Sequence, residues 1–124
     1  MRIFKTRWFA RWADGEQVSD AALLAAVDEM TRGLIDANLG GHVFKKRVAI
    51  GGRGKSGGLR TLLAFRMGER VFFMYGFAKN QRANVSEKEL QALKLLAKQL
   101  LHYDARALEK AMIAGDLYEV TDHE

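Results

Sequence analysis

Hydrophobic and polar positions along the chain alternate between two periods, and each change of period marks a change of element. Arg2 to Lys5 reads as extended, and Thr6 is placed to cap a short helix on which Trp8 and Trp12 continue the i, i+4 spacing begun at Phe4. After the Asp14-Gly15 break, Ser19 is an N-cap for a helix carrying Leu23, Leu24, Val27, Met30, Leu34 and Ile35 at helical period, predicted to run to about Ala37. Leu39-Gly40-Gly41 ends it. From Val43 the period becomes two, with Phe44, Val48 and Ile50 facing one way and Lys45 and Arg47 the other.

A loop, Gly51-Gly52-Arg53-Gly54-Lys55-Ser56-Gly57-Gly58, leads to a second strand, in which Leu59, Thr61, Leu63, Phe65 and Met67 alternate with Arg60, Leu62, Ala64 and Arg66. Gly68-Glu69 suits a two-residue hairpin with glycine first, and residues 71–77 are apolar on both faces, as a central strand requires. Ser86 with Glu89 forms a capping box, Val85 with Leu90 a hydrophobic staple, and Leu90, Leu93, Ala97, Leu100 and Leu101 a buried stripe on a helix over 87 to about 103. A last short helix ends at Gly115, followed by a possible strand at 117–120. The pattern is α+β: one domain over 1–124, with an antiparallel sheet of three to four strands packed by N-terminal and C-terminal helices.

Charge changes the picture because it is unevenly spread. Residues 44–82 hold ten basic residues against one acid, Glu69, a local +9, while the rest of the chain holds 10 basic and 14 acidic residues. A merely solvated face would mix its signs, so this segment reads as a surface for a polyanion, RNA before others. Cysteine is absent, which excludes disulfides and thiolate metal sites, and His42, His102 and His123 have no metal-ligand spacing. With no run of about 18 apolar residues and no signal-peptide core, the expectation is a cytoplasmic protein without membrane, metal or cofactor.

Residues 49–56 superficially resemble a phosphate-binding P-loop with its first glycine relaxed to Ala49. A P-loop opens a helix, whereas Gly57-Gly58 and an alternating strand follow here, so nucleotide hydrolysis is rejected. The glycines instead let backbone amides approach phosphate beside Arg53 and Lys55. If Lys45, Arg47 and Arg60 share a sheet face, the cations converge. RNA carries its own nucleophile, the 2′-OH, so such a cluster needs only to align it, stabilise charge on the phosphorane-like transition state and assist two proton transfers. For those transfers the segment offers Lys79, Tyr75 or a loop lysine, and a lysine among cations has its pKa pushed down. Tyr75 and Phe77 are alternatively base-stacking or core residues.

In order along the chain, Lys45-Lys46-Arg47-Val48-Ala49, Gly54-Lys55-Ser56-Gly57-Gly58-Leu59-Arg60, Tyr75-Gly76-Phe77-Ala78-Lys79-Asn80, Asn84 and the capped helix with Glu89-Leu90 resemble the RelE/HigB-like toxins of bacterial type II toxin–antitoxin systems, within the RelE/ParE superfamily. The resemblance runs from Phe4 through Leu101. It implies a metal-free, cofactor-free endoribonuclease, or mRNA interferase, that cuts messenger RNA, usually on the ribosome. It also implies a cognate helix-turn-helix antitoxin. By position it makes Lys55, Arg60, Lys79 and Tyr75 the catalytic candidates, and Lys45, Lys46, Arg47, Arg53, Gly54, Ser56, Gly57, Gly58 and Arg82 the RNA- and phosphate-binding ones. Relatives that recruit a catalytic Tyr or His near the C-terminus find no counterpart in the tail 118–124, which leaves general acid and base open. The alternatives are a gyrase-inhibiting ParE-like toxin and a non-catalytic nucleic-acid-binding regulatory module.

Overall fold

The computed structural model describes residues 1–50 and 54–121, and the side chains of residues 50 and 54–57 lie outside that description. The elements in order are β1 (Arg2–Thr6), α1 (Arg7–Gly15), α2 (Asp20–Thr31), β2 (Ala37–Asn38), β3 (Val43–Ile50), β4 (Gly54–Phe65), β5 (Arg70–Ala78), α3 (Glu87–Leu101), α4 (Ala105–Ile113) and β6 (Leu117–Glu119). The strands form one six-stranded sheet of order β2-β3-β4-β5-β1-β6. The α+β class matches expectation, but the sheet is larger than three to four strands and is mixed, because β1 runs parallel to β5, with Phe4 opposite Phe72. Pairing of the two ends of the chain, β1 with β6, completes it.

Three of the four helices begin at a side-chain cap read directly from the sequence: Thr6 accepts from Phe9 N–H, Ser19 from Ala22 N–H, and Ser86 with Glu89 closes the full capping box. α2 stops at Thr31 rather than near Ala37. Gly33 takes φ +89°, a left-handed turn that ends the helix and leaves Ala37 and Asn38 free to form the edge strand. The β4–β5 turn differs in a similar way. Glu69 N–H donates to Arg66 C=O, which puts Met67 and Gly68 at the centre with Gly68 (φ +79°) second, the position where a type II turn demands positive φ.

The sheet is buried on both sides. One face, with Phe9, Leu23, Val27, Met30, Val48, Leu63 and Phe73, is covered by α1 and α2, and the other, with Phe4, Val43, Leu62, Phe72, Ala97, Leu100 and Leu108, by α3 and α4. Residues 54–58, expected in a loop, belong to β4, which pairs with β3 as far out as Gly54 opposite Ile50. β5 pairs with β4 only up to Ala78 opposite Leu59, so the β3–β4 hairpin projects past the end of the sheet as a two-stranded arm.

Candidate nucleic-acid interface

The pleat places the cations. Alternation along β3 and β4 sends Lys45, Arg47, Arg60 and Leu62 to the α3 face, and the register aligns Arg47 with Arg60 and Arg60 with Phe77 across the three central strands. One position further into the sheet, Lys45, Leu62 and Tyr75 form a second row. The two rows end at the root of the projecting hairpin.

Arg60 is the unusual member. It is 6% exposed, and its Nη1 has no hydrogen-bond partner among the described residues. A guanidinium is costly to bury and costlier to leave unpaired, so this atom is a standing demand for an anion. Beside it, Arg47 is exposed and only loosely held, its Nε 3.6 Å from the Asp36 carboxylate. The same carboxylate accepts from Arg47 N–H, which satisfies the strand edge just past β2.

On the other side, Arg82 is engaged by Glu89, with Nη1 3.1 Å from Oε2 and Nη2 bonded to Oε1, and its guanidinium stands 5.8 Å from the Phe77 ring centroid. This two-point hydrogen bonding, reinforced by Ser86, holds the Glu89 carboxyl down at about 2, so it stays ionised and is unsuited to proton transfer. The Tyr75 hydroxyl lies 3.3 Å from Arg82 Nη1 and 3.4 Å from Glu89, and its ring stacks on Trp8 with centroids 4.5 Å apart. Trp12, one turn on, lies flat against Gly76, where a Cβ would fall 2.2 Å from the indole.

The structure therefore gathers Lys45, Arg47, Arg60, Tyr75 and Arg82 around one end of one sheet face. Lys79 is exposed just past β5. Lys46 is not on this surface. It points to the α2 face, 3% exposed, with Nζ 2.7 Å from Glu29. Gly54, Lys55, Ser56, Gly57 and Gly58 lie on the β4 backbone, and Arg53 lies outside the described residues. Sequence reasoning missed Asp36, assigned to a helix, and Trp8, whose only signal was its spacing from Trp12. Glu89 was read only as a cap.

Among the described residues no group of three or more His, Asp or Glu is arranged to hold a metal ion, and no helix is long and apolar enough to cross a membrane. No curated protein sequence matches the chain. A family model described as the RelE toxin of the RelE/RelB toxin–antitoxin system matches residues 1–120, nearly the whole sequence. Membership implies an antitoxin partner. With a family match of that extent and an α+β fold to accompany it, the chain belongs to the RelE toxin family of toxin–antitoxin systems.

Proposed function

We propose that this RelE-family toxin is a metal-independent endoribonuclease that cleaves messenger RNA on the ribosome, of the HigB-like kind that a helix-turn-helix antitoxin restrains. The observation that carries the reading is the buried Arg60 guanidinium, unpaired at Nη1 and directly opposite Arg47. Two cations so placed bind a phosphodiester more tightly as its equatorial oxygens gain charge, which is what lowers the barrier.

In this mechanism the 2′-OH of one nucleotide attacks the adjacent phosphorus, and the bond to the 5′-oxygen of the next nucleotide breaks. The products are a 2′,3′-cyclic phosphate and a 5′-hydroxyl end. Arg60 and Arg47 hold the non-bridging oxygens, with Lys55 on the hairpin arm as a third cation. One group removes the 2′-OH proton and another returns a proton to the leaving oxygen. Lys79 and Tyr75 are the candidates, and the exposed Lys79 is free to approach RNA, whereas Tyr75 is held by Arg82 and Glu89. Lys45 and Arg82 add positive field, while Lys46 is left to its structural pair with Glu29.

The deciding experiment follows messages by primer extension after induction of the toxin without its antitoxin, and repeats the cleavage with purified toxin and translating ribosomes, identifying the chemical ends that are left. Cleavage that leaves a 2′,3′-cyclic phosphate and a 5′-hydroxyl end, and that disappears with Arg60→Ala, supports the reading. Messages left intact while DNA loses supercoiling would instead identify a gyrase-directed toxin, and growth without arrest a module that only binds.

A further inference from the structure

We infer that the outer face of α3 is the docking surface for an acidic amphipathic helix of the antitoxin. α3 turns Leu90, Leu93, Ala97 and Leu100 toward the sheet. On its outer side Leu95, Lys98 and His102, at steps of three and four, form a ridge, and Leu95 is 72% exposed although it sits mid-helix. The ridge is flanked by two grooves. One runs against Gly41, His42 and Arg66 with Lys94 and Leu101, and the other against Gln99 and Tyr103. A ridge at i, i+3, i+7 spacing between two grooves is the complement that a second helix presents when helices pack side by side.

The charge of the surface selects the occupant. Among the described residues, Arg66, Lys94 and Lys98 are the charged side chains of the two grooves, and no acid lines either of them. Acids stand just outside them: Glu69 is 3.3 Å from Arg66 across the β4–β5 turn, and Glu87 accepts from Gln91 at 2.9 Å. Lys94 is fixed in place, because its stem packs on Gly41, where a Cβ would come within 3.1 Å of Cγ. Complementarity calls for a helix whose apolar stripe seats around Leu95 and whose flanking positions are Asp or Glu. A nucleic acid would use the lysines but gain little from an exposed leucine at the centre of the ridge, and this favours protein over RNA.

The position has a consequence for control. α3 starts beside Arg82 and Tyr75, and its far end reaches Tyr103, whose carbonyl accepts from Arg70 at the opposite end of β5. Glu89 and His102 are thus roughly 20 Å apart along the helix. A helix seated on the ridge leaves the Arg47–Arg60 row uncovered, so this contact anchors the antitoxin without plugging the cationic face.

The test uses the antitoxin encoded beside the toxin gene, identified by its neutralising the wild-type chain. Leu95→Asp, and separately Lys94→Glu with Lys98→Glu, should leave growth arrest intact but weaken titrated antitoxin binding by about 30-fold or more, the scale of an interface hot spot. Rescue by co-expression should fail with it. Wild-type affinity in both variants overturns the proposal, as does weakened binding to ribosomes or RNA with the antitoxin affinity unchanged. Circular dichroism guards against misfolding, and Lys98→Glu alone, an exposed change, decides the matter if Leu95→Asp fails to fold.

Discussion

Arg47 and Arg60 stand directly opposite each other in the β3–β4 ladder, and among the described residues only Arg47 of the two has a carboxylate, Asp36, within ion-pair distance. Like charges facing across strands repel, and a buried guanidinium nitrogen without a partner, Nη1 of Arg60, adds to the cost. Both penalties are relieved by an anion. Arg60→Met should therefore raise stability by about 1 kcal/mol, or roughly 3–5 °C in Tm, while abolishing toxicity. Inorganic phosphate should raise the Tm of the wild-type chain more than that of the variant. A variant that melts below the wild type would show that Arg60 serves the fold rather than an anion.

Gly76 and Trp12 make a contact that only glycine permits. The indole lies where the missing Cβ would be, 2.2 Å away, and the ring cannot retreat because it also packs against Phe9 at 5.4 Å between centroids. Gly76→Ala should cost about 3 kcal/mol in a denaturant titration, the upper range for overpacking a core. Trp12→Leu in the same chain should return part of that loss. If the two changes are additive, the steric account is wrong.

Where the sequence was legible, a local rule was at work. The caps at Thr6, Ser19 and Ser86 need only a few neighbouring residues, and the alternation in β3 put Lys45 and Arg47 on one face; that Arg60 shares it, only a condition in the sequence, is set by the β3–β4 register. The same alternation groups Lys46 with Phe44 and Val48, so its burial was readable and was lost in counting the cationic run as a whole. Other features left no local trace. The parallel β1–β5 pairing joins residues about seventy positions apart, and nothing near Arg2 announces its partner. Leu34 and Ile35 prolong the helical period of α2 past Gly33, which hid both the true end of the helix and the placement of Asp36 beside Arg47. The pairing of Arg82 with Glu89 likewise depends on how the 79–86 connection folds back.

Lys46 offers a control for every charge substitution on the other face. With its ammonium 2.7 Å from Glu29 in a site 3% exposed, it ties α2 to β3. Glu29→Ala leaves this charge buried without its carboxylate and should cost about 3 kcal/mol, with no change in RNA affinity per folded molecule. Equilibrium unfolding and a filter-binding titration on the same preparation separate the two effects. Reduced affinity in fully folded Glu29→Ala would return Lys46 to the RNA surface.

Glu89 makes the acid limb of stability specific to one residue. Its carboxyl titrates near 2 in the folded chain, against the ordinary 4.5, chiefly because Arg82 hydrogen-bonds its ionised form and Ser86 does so as well. The folded pKa is the lower one, so the unfolded chain binds the proton first. The contribution is complete above about 4.5 and disappears as pH falls toward 2. Glu89→Gln cannot titrate. Its Tm should lie below the wild type's at pH 7 and the gap should close on acidification across that window, while the Arg2–Glu119 pair, also held low, bends both curves alike. A gap that stays constant from pH 6 to pH 2 would mean the capping hydrogen bond, not the charge on Glu89, is what the fold uses. Because Arg82 and Tyr75 hang from the same carboxylate, RNA affinity measured at pH 7 should fall in Glu89→Gln as well, by less than in Arg60→Met.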